Sequence, residues 1–225
     1  MNWTSFRTTK AYDLLCATPN ILWLLYGILR QWAVLTGDLH DMVRGTSSAS
    51  EVFQFFAVFA SALLYGTFIY FSVVRMTPAA RSRGILPRLV AIGGGFLTSG
   101  LLVLPTVKLS LPVQIVSNVL VFGGAMAAVF VLNRLGRSFS IMPEARKLVT
   151  AGPYKYVRHP LYVVEMISVL GTAMQFIQPW ALLLWAAAVV LEYIRTHYEE
   201  QVLEGQFPEY ADYRLRTHRF IPGVF

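Results

Sequence analysis

The residues most able to do chemistry lie at 135–166, where the chain reads LGRSFSIMPEARKLVTAGPYKYVRHPLYVVEM. His159 precedes a proline and so disfavours helical dihedrals, whereas Pro160 suits the first position of a helix. The sequence therefore predicts a helix that begins at Pro160, with His159 at its N-cap. The free N–H groups of Leu161 and Tyr162, at the positive end of the helix dipole, favour anion binding. A basic loop that grips lipid phosphate is an equally good interpretation.

A second cluster follows some thirty residues later and consists of Glu192, Arg195, Glu199, Glu200 and Leu203. If a helix continues through it, four of these residues share one face, because residues three and four apart are neighbours. Arg195 and Glu199 could form only an ion pair, although Arg before Glu is the less favourable order. A tight helical hairpin would bring this cluster to the level of the first one, so the two predict a single pocket.

Together these motifs resemble the isoprenylcysteine carboxyl methyltransferase family and its phospholipid N-methyltransferase relatives. The resemblance covers about residues 135–225, and it implies an integral membrane enzyme that uses S-adenosylmethionine. The matching features are GPYKYVRHPLY at 152–162, Arg195 with Glu199, Glu200 and Leu203, then Phe207, Tyr210, Tyr213 and the closing Ile221-Pro222.

The resemblance also implies roles for individual residues. Arg195 would face the substrate. Independently of the resemblance, Glu192 shares a helix face with Arg195 and could orient it or accept a proton. Eukaryotic members have histidine where Arg146 stands, so no role is carried over to it. The methionyl carboxylate of the cofactor suits a helix N-terminus, and its ammonium suits a glutamate. The implied cofactor-binding residues are Lys147, Leu148, Val149, Tyr154, His159, Pro160, Leu161, Tyr162, Glu199 and Glu200.

Composition indicates where such a site would lie. Of the 225 residues, 56% are hydrophobic and 14% are charged, against roughly 25% charged in an ordinary soluble domain. Mean hydropathy is +0.54. These values exclude disorder, collagen, coiled coil and a disulfide scaffold, and a lone Cys16 cannot form an internal disulfide or build a zinc site. The chain reads as a polytopic membrane protein.

Six apolar stretches predict an all-α bundle of about six membrane segments, since crossing a bilayer takes about 20 helical residues. The last two are short, are separated only by Gln178, and predict a helical hairpin that tilts or stops short of crossing. We expect membrane helices over 1–132 and a methyltransferase core over 133–225. The stretches are Pro19–Thr36, Val52–Val74, Leu89–Val107, Pro112–Leu132, Pro160–Ile177 and Pro179–Ile194.

The charges predict the orientation of these segments. The N-terminal tail, the 75–88 and 133–158 segments and the C-terminal tail hold 16 of the 19 basic residues. Because cytoplasmic loops carry the excess of Lys and Arg, we expect both termini and the active site on the cytoplasmic side. The net charge of +7 is then a membrane signal and not evidence for nucleic-acid binding. The first fifteen residues lack the order of a signal peptide, so we expect them to be retained.

Two further features lie inside predicted spans. The Gly93-Gly94-Gly95 triplet does not follow a strand and lacks the GxGxxG pattern, so it predicts close helix packing and not a phosphate loop. A carboxylate such as that of Glu165 costs free energy inside an apolar segment. We expect Glu165 to be functional, to pair with Arg30, or to be structural.

The function that follows is methyl transfer from S-adenosylmethionine to a lipophilic acceptor with a carboxylate, amine or thiol. The methyl group is already carried by a sulfonium, so no metal is required. The expected partners are the acceptor and membrane lipids. The alternatives are a nicotinamide-dependent reductase of the sterol-reductase type and a non-enzymatic transport or scaffold protein.

Overall fold

The structure, a computed structural model, describes residues 9–223 and consists almost entirely of helices. Two-residue strands, β1 (Ala80–Arg81) and β2 (Glu144–Ala145), pair in antiparallel register, with Ala80 opposite Ala145. The all-α prediction is confirmed. The α-helices are α1 (Lys10–Arg44), α2 (Ala49–Val74), α3 (Leu86–Leu97), α4 (Leu111–Leu135), α5 (Pro160–Ala173), α6 (Trp180–Gln206) and α7 (Tyr210–Arg216).

Local sequence signals set the turn between α1 and α2. Gly45 ends α1 with a φ of 70°, a conformation that glycine adopts without steric cost. Ser48 begins α2 with a capping box: its hydroxyl accepts from the N–H of Glu51, whose carboxylate accepts from the N–H of Ser48. The two long helices are therefore joined by a short, fully capped turn and run antiparallel.

Four helices in the described part of the chain are long and apolar enough to cross a membrane: Lys10–Arg44, Ala49–Val74, Leu86–Val103 and Leu111–Ser138. The third includes a 3₁₀ segment, Thr98–Val103, that extends α3. The fifth predicted stretch contains α5, whose 14 residues span about 21 Å, less than a hydrocarbon core of about 30 Å. The sixth contains α6, which continues past Ile194 to Gln206. Six crossings are thus not confirmed.

Helix α4 is central and packs against both α2 and α5. Its contact with α5 is close because small residues line it. A Cβ at Gly124 would lie 2.5 Å from the Ser168 backbone N, and one at Gly171 would lie 2.7 Å from the Ser117 carbonyl oxygen. Helix α3 packs on α6, where a Cβ at Gly94 would lie 2.7 Å from a carboxylate oxygen of Glu192. The packing role predicted for the glycine triplet is confirmed at Gly94, and Gly124 packs in the same way.

A buried ionic cluster joins the basic segments at one end of the bundle. Asp13 of α1 is 2% exposed and accepts hydrogen bonds from Arg75, after α2, and Arg146, after β2. Arg146 also donates to Glu144 at 2.7 Å. The cluster places the start of α1 beside the segment that leads into residues 147–149. Arg7, which the charge count includes, lies outside the described residues.

Candidate functional site

A cavity of about 780 Å³ runs through the bundle between this basic end and the middle of α1 and α2. All seven α-helices contribute to its wall, as do the segments before and after β2. Its volume lies within the roughly 300–1,000 Å³ of typical small-molecule sites. The bundle therefore encloses a space large enough for a ligand.

The start of α5 forms one wall at the basic end. His159 occupies the N-cap position and Pro160 the first helical position, as predicted. The backbone N–H of His159 donates to the carbonyl of Arg219 at 3.1 Å, and its ring packs between the rings of Tyr162 and Phe220. The imidazole is thus held from two sides, and Leu161 and Tyr162 border the cavity beside it.

Glu200 of α6 anchors this arrangement from behind. Its carboxylate accepts hydrogen bonds from Arg158 at 2.8 Å, His159 at 3.1 Å and Arg219 at 2.7 Å. Burial alone would raise the pKa of Glu200, but the hydrogen bonds from His159, Arg219 and Arg158 outweigh it and hold the pKa well below the usual range. Glu200 therefore stays ionised and fixes the position of His159.

Arg195 of α6 also lines the cavity and is held by four hydrogen bonds, which leave one of its five N–H groups free among the described residues. Its Nη1 donates to both oxygens of Glu192 at 3.2 Å, and its Nε donates to Glu199 at 3.2 Å. Nη2 donates to the carbonyl of Ser140 at 3.3 Å, and the guanidinium lies 4.9 Å from the ring centre of Tyr162. The predicted shared face of α6 is confirmed, and the planar fork of Arg195 has one orientation.

Glu199 links the two walls. The Tyr162 hydroxyl of α5 donates to the Oε1 of Glu199 at 2.5 Å, and the same oxygen accepts from Arg195. Residues of the two predicted clusters are therefore in direct contact, as the hairpin requires.

Besides Glu144, Glu192 and Glu199, the cavity wall includes the carboxylate of Glu165. Arg30 also borders the cavity, but the two side chains form no ion pair, which excludes one of the three roles considered for Glu165. Among residues 9–223, no side chain donates a hydrogen bond to Glu165, in contrast to Glu192 and Glu199. Its carboxylate is therefore open to a ligand.

The structure brings most of the residues predicted for the site to one cavity. Pro160 and Glu200 are the two exceptions: both are buried next to the cavity without forming its wall. Whether each residue binds cofactor or substrate stays a prediction. The predicted residues that line the cavity are Lys147, Leu148, Val149, Tyr154, His159, Leu161, Tyr162, Glu192, Arg195 and Glu199.

Sequence reasoning missed three contributors. Arg219 and Phe220 reach the site from the C-terminal segment, which runs alongside residues 157–159 through a bridge between Val157 and His218. Ser140 contributes only a carbonyl group, so its side chain type carries no signal. The closing Ile-Pro was part of the resemblance and was the one available hint that this segment returns to the site.

The described residues hold no group of three or more His, Cys, Asp or Glu side chains that could bind a metal ion. The cavity wall presents carboxylates, the guanidinium groups of four arginines, the imidazole of His159 and tyrosine hydroxyls. Such groups orient ligands, hold charge and move protons.

Comparison with known families now indicates the class of protein. Residues 112–210 match the model of the phospholipid methyltransferase family, a stretch that begins with α4 and ends at Tyr210. The match confirms the resemblance to the phospholipid methyltransferases that the sequence motifs carry. It covers α4, α5 and α6, which supply most of the site.

Two curated proteins are similar over a shorter stretch. The chain is 41% identical over 80 residues to the cobalt-zinc-cadmium resistance protein CzcN of Cupriavidus metallidurans, which covers 34% of this chain and 36% of that protein. It is 37% identical over 84 residues to the nickel-cobalt-cadmium resistance protein NccN of Alcaligenes xylosoxydans xylosoxydans, which covers 36% and 38%. The chain thus matches little more than a third of the length of these relatives.

Proposed function

We propose that this protein is a membrane-embedded methyltransferase that uses S-adenosylmethionine and acts on a lipophilic acceptor. The observation that carries the proposal is the hydrogen bond between Tyr162 and Glu199, two residues that line a cavity in an apolar helical bundle. Both residues lie within the stretch that matches a methyltransferase family. The geometry places a helix N-terminus, a glutamate and an arginine around one space.

The residues present fit the cofactor. The N-terminus of α5 offers backbone N–H groups to a carboxylate, and Glu199 offers a carboxylate to an ammonium. Lys147, Leu148 and Val149 border the same cavity. When bound, S-adenosylmethionine supplies an activated methyl group.

Arg195 is placed to orient the acceptor. Glu192 and Glu199 hold its guanidinium 4.9 Å from the ring centre of Tyr162, so the side chain loses little freedom when a ligand arrives. A carboxylate acceptor would meet the Nη2 N–H of Arg195 that has no partner among the described residues, and alignment of the reacting atoms would supply most of the rate enhancement. Glu192 acts by positioning Arg195.

An amine or thiol acceptor must lose a proton, and this requires a carboxylate. Glu192 and Glu199 are both engaged by Arg195, whereas Glu165 faces the cavity without a donor among the described residues. Glu165 is therefore the proton acceptor in that case. A Glu165→Gln variant that binds S-adenosylmethionine normally but keeps full turnover would contradict this role.

The path of the acceptor is lateral. A shallow groove lies between α1 and α3, and Trp23, Arg30 and Phe96 border both this groove and the cavity. A lipophilic molecule in the bilayer would enter through this groove without crossing water. The apolar outer faces of the helices are consistent with such a surrounding, since Leu29 of α1 is 72% exposed.

Binding measurements test the proposal. Purified protein should bind labelled S-adenosylmethionine and not NADPH, and His159→Ala and Glu199→Ala should each weaken that binding by about 10- to 150-fold, as expected for one charge-assisted hydrogen bond. Glu209→Ala, an exposed position next to α7, is the control and should bind as the wild type does. Preference for NADPH would favour a reductase. Binding of neither molecule would favour a transport or scaffold protein.

A further inference from the structure

The inner part of the cavity, beyond Glu165, is polar although it lies among apolar helices. Ser168 and Thr172 follow Glu165 at intervals of three and four residues and so lie on the same face of α5. All three line the cavity, as does Gln175 just after the helix. Polar side chains inside membrane segments are costly and usually serve a function. This polar face therefore extends from Glu165 towards the C-terminus of α5, away from the helix N-terminus proposed to bind the cofactor.

Helices α2 and α4 complete the polar lining. Gln54 of α2 and Gln114 and Asn118 of α4 border the same cavity. Asn118 is only 5% exposed, and its Nδ2 atom is fully buried. This buried donor nevertheless has no hydrogen-bond partner. A buried donor left without a partner costs about 1–3 kcal/mol, so such a group calls for a ligand.

The neighbours of Asn118 are satisfied by the protein itself. The Ser117 hydroxyl donates to the Gly171 carbonyl at 2.8 Å and accepts from the Gln175 amide at 2.9 Å. The Ser168 hydroxyl donates to the carbonyl of Val121. These bonds fix α4 against α5 and hold Asn118 in place, which leaves its amide as the unused donor.

The position of Asn118 along the bundle gives its distance from Glu165. The contact between Ser117 and Gly171 places Asn118 near the level of Gly171, six residues beyond Glu165 along α5. At 1.5 Å per residue this separation is about 9 Å. A ligand that reaches both positions has a second polar group about that far from its reacting atom.

We propose that Asn118 forms a second binding subsite, in which its amide donates a hydrogen bond to a carbonyl oxygen of a lipophilic ligand. A carbonyl suits the site because it accepts without carrying charge into an apolar bundle. That this ligand is the methyl acceptor rests on the proposed function. That the site binds a lipophilic molecule with a carbonyl group is independent of the proposed function. The acceptor is then a lipid-like molecule with an ester, amide or ketone about 9 Å from its methyl-accepting atom.

The experiment compares two probes that differ in one carbonyl-bearing group. Methyl dibromostearate carries an ester, dibromooctadecane does not, and bromine in either quenches the fluorescence of Trp23, which borders the cavity. Purified full-length protein should bind the ester more tightly, by about 2- to 10-fold for one hydrogen bond. Asn118→Leu should abolish the preference. Asn133→Leu, the same change at an exposed position of the same helix, should keep it.

Each outcome decides the question. A wild-type protein without preference, or an Asn118→Leu variant that keeps it, overturns the subsite; in either case a water molecule suffices to satisfy Asn118. If Asn118→Leu fails to fold, Asn118→Ala removes the amide without adding bulk and should lose the same preference. S-adenosylmethionine binding is measured on the same samples. Its absence from the wild type would refute the proposed function and leave the ester preference as an independent result.

Discussion

The guanidinium of Arg195 donates hydrogen bonds to three different partners. A planar group with several N–H donors can reach all three at once. Glu192, Glu199 and the Ser140 carbonyl lie around the guanidinium in the directions of its N–H groups. Lysine carries the same charge but has no fork and no flat face to place against Tyr162. The geometry of the site therefore depends on the shape of this side chain as well as its charge.

Replacement of Arg195 by lysine should separate substrate handling from cofactor handling. We expect S-adenosylmethionine affinity to stay within a few-fold, while methyl transfer to a total lipid extract falls about 10-fold or more, which corresponds to at least about 1.4 kcal/mol of lost transition-state stabilisation. Affinity and turnover are measured on the same preparation. Arg214→Lys, at an exposed position of α7, is the control. If affinity and turnover fall together, Arg195 belongs to the cofactor site; if neither falls, it forms a structural ion pair only.

The carboxylate of Glu200 should make stability depend on pH in acid. Burial opposes its ionisation, but donors from His159, Arg219 and Arg158 lower its pKa in the folded state below the usual 4.5. A group with a depressed folded pKa stabilises the protein fully above its unfolded pKa and loses that contribution as the pH falls towards the folded pKa. The stabilisation by Glu200 is thus complete at neutral pH and decreases below about pH 4.5.

Thermal unfolding at pH 7 and at successively lower pH tests this expectation. Glu200→Gln should have a lower Tm than the wild type at neutral pH, and the gap should narrow in acid because the substitution removes the titrating group. Glu209→Gln, an exposed change, should follow the wild-type curve. Parallel curves for Glu200→Gln and the wild type at every pH would show that the three donors do not stabilise the ionised form.

At the level of secondary structure, the sequence predicted where the site helices begin better than where they end. Pro160 marks the start of α5, but the apolar run to Ile177 continues beyond the helix. Residues 174–177 turn out of it because the N–H of Val107 binds the carbonyl of Gln175, and the N–H of Ile177 binds the carbonyl of Pro105. Hydropathy does not distinguish an apolar residue inside a helix from an apolar residue whose backbone is hydrogen-bonded to another extended segment.

The end of α6 lies beyond the predicted apolar stretch, in line with the shared face predicted for Glu192, Arg195, Glu199 and Leu203. Charged residues after Ile194 suggested that the apolar segment stops there, whereas the helix continues for twelve more residues to Gln206. The charges are tolerated because Arg195, Glu199 and Glu200 find partners on other segments within the bundle. A sequence pattern shows which residues share a helix face, but the distant residues that neutralise them depend on the tertiary fold.

The tight contact between α4 and α5 gives a matched pair of glycine variants. Gly124→Ala would put a Cβ 2.5 Å from the Ser168 backbone N, so α5 would have to shift, whereas a Cβ at Gly123 meets nothing within 4 Å. We expect Gly124→Ala to destabilise the protein by about 1–3 kcal/mol, as overpacking does, and Gly123→Ala to be nearly neutral or slightly stabilising. Thermal unfolding of both variants measures the difference. Equal Tm values would show that the helices separate without cost.

In the whole molecule, the part of the chain outside the family match also shapes the site. The match begins at residue 112, but Asp13 of α1 binds Arg146, which immediately precedes the cavity-lining Lys147. Gly27 of α1 also packs on Tyr65, and both border the cavity. The N-terminal helices looked generic in sequence because their contribution lies in buried contacts over long sequence distances.

The basic residues predict the orientation of the whole bundle in the membrane. The ion pairs of Asp13 with Arg75 and Arg146 bring three of the basic segments together at one end, and the turn at 45–48 lies at the other end of α1. Because Lys and Arg are retained on the cytoplasmic side, that end should face the cytoplasm. Ser47, in the turn after α1, and Gln206, the last residue of α6, then lie on opposite sides.

Labelling of single cysteines in cells tests this orientation. With Cys16 replaced by serine, Ser47→Cys should react with a membrane-impermeant maleimide in intact cells, whereas Gln206→Cys should react only after the membrane is permeabilised. The cysteine-free chain is the control and should take up no label in either condition. Reaction of both positions in intact cells, or of neither, would mean that they lie on the same side. Reaction of Gln206→Cys alone in intact cells would mean that the bundle has the opposite orientation, with the proposed site outside the cytoplasm.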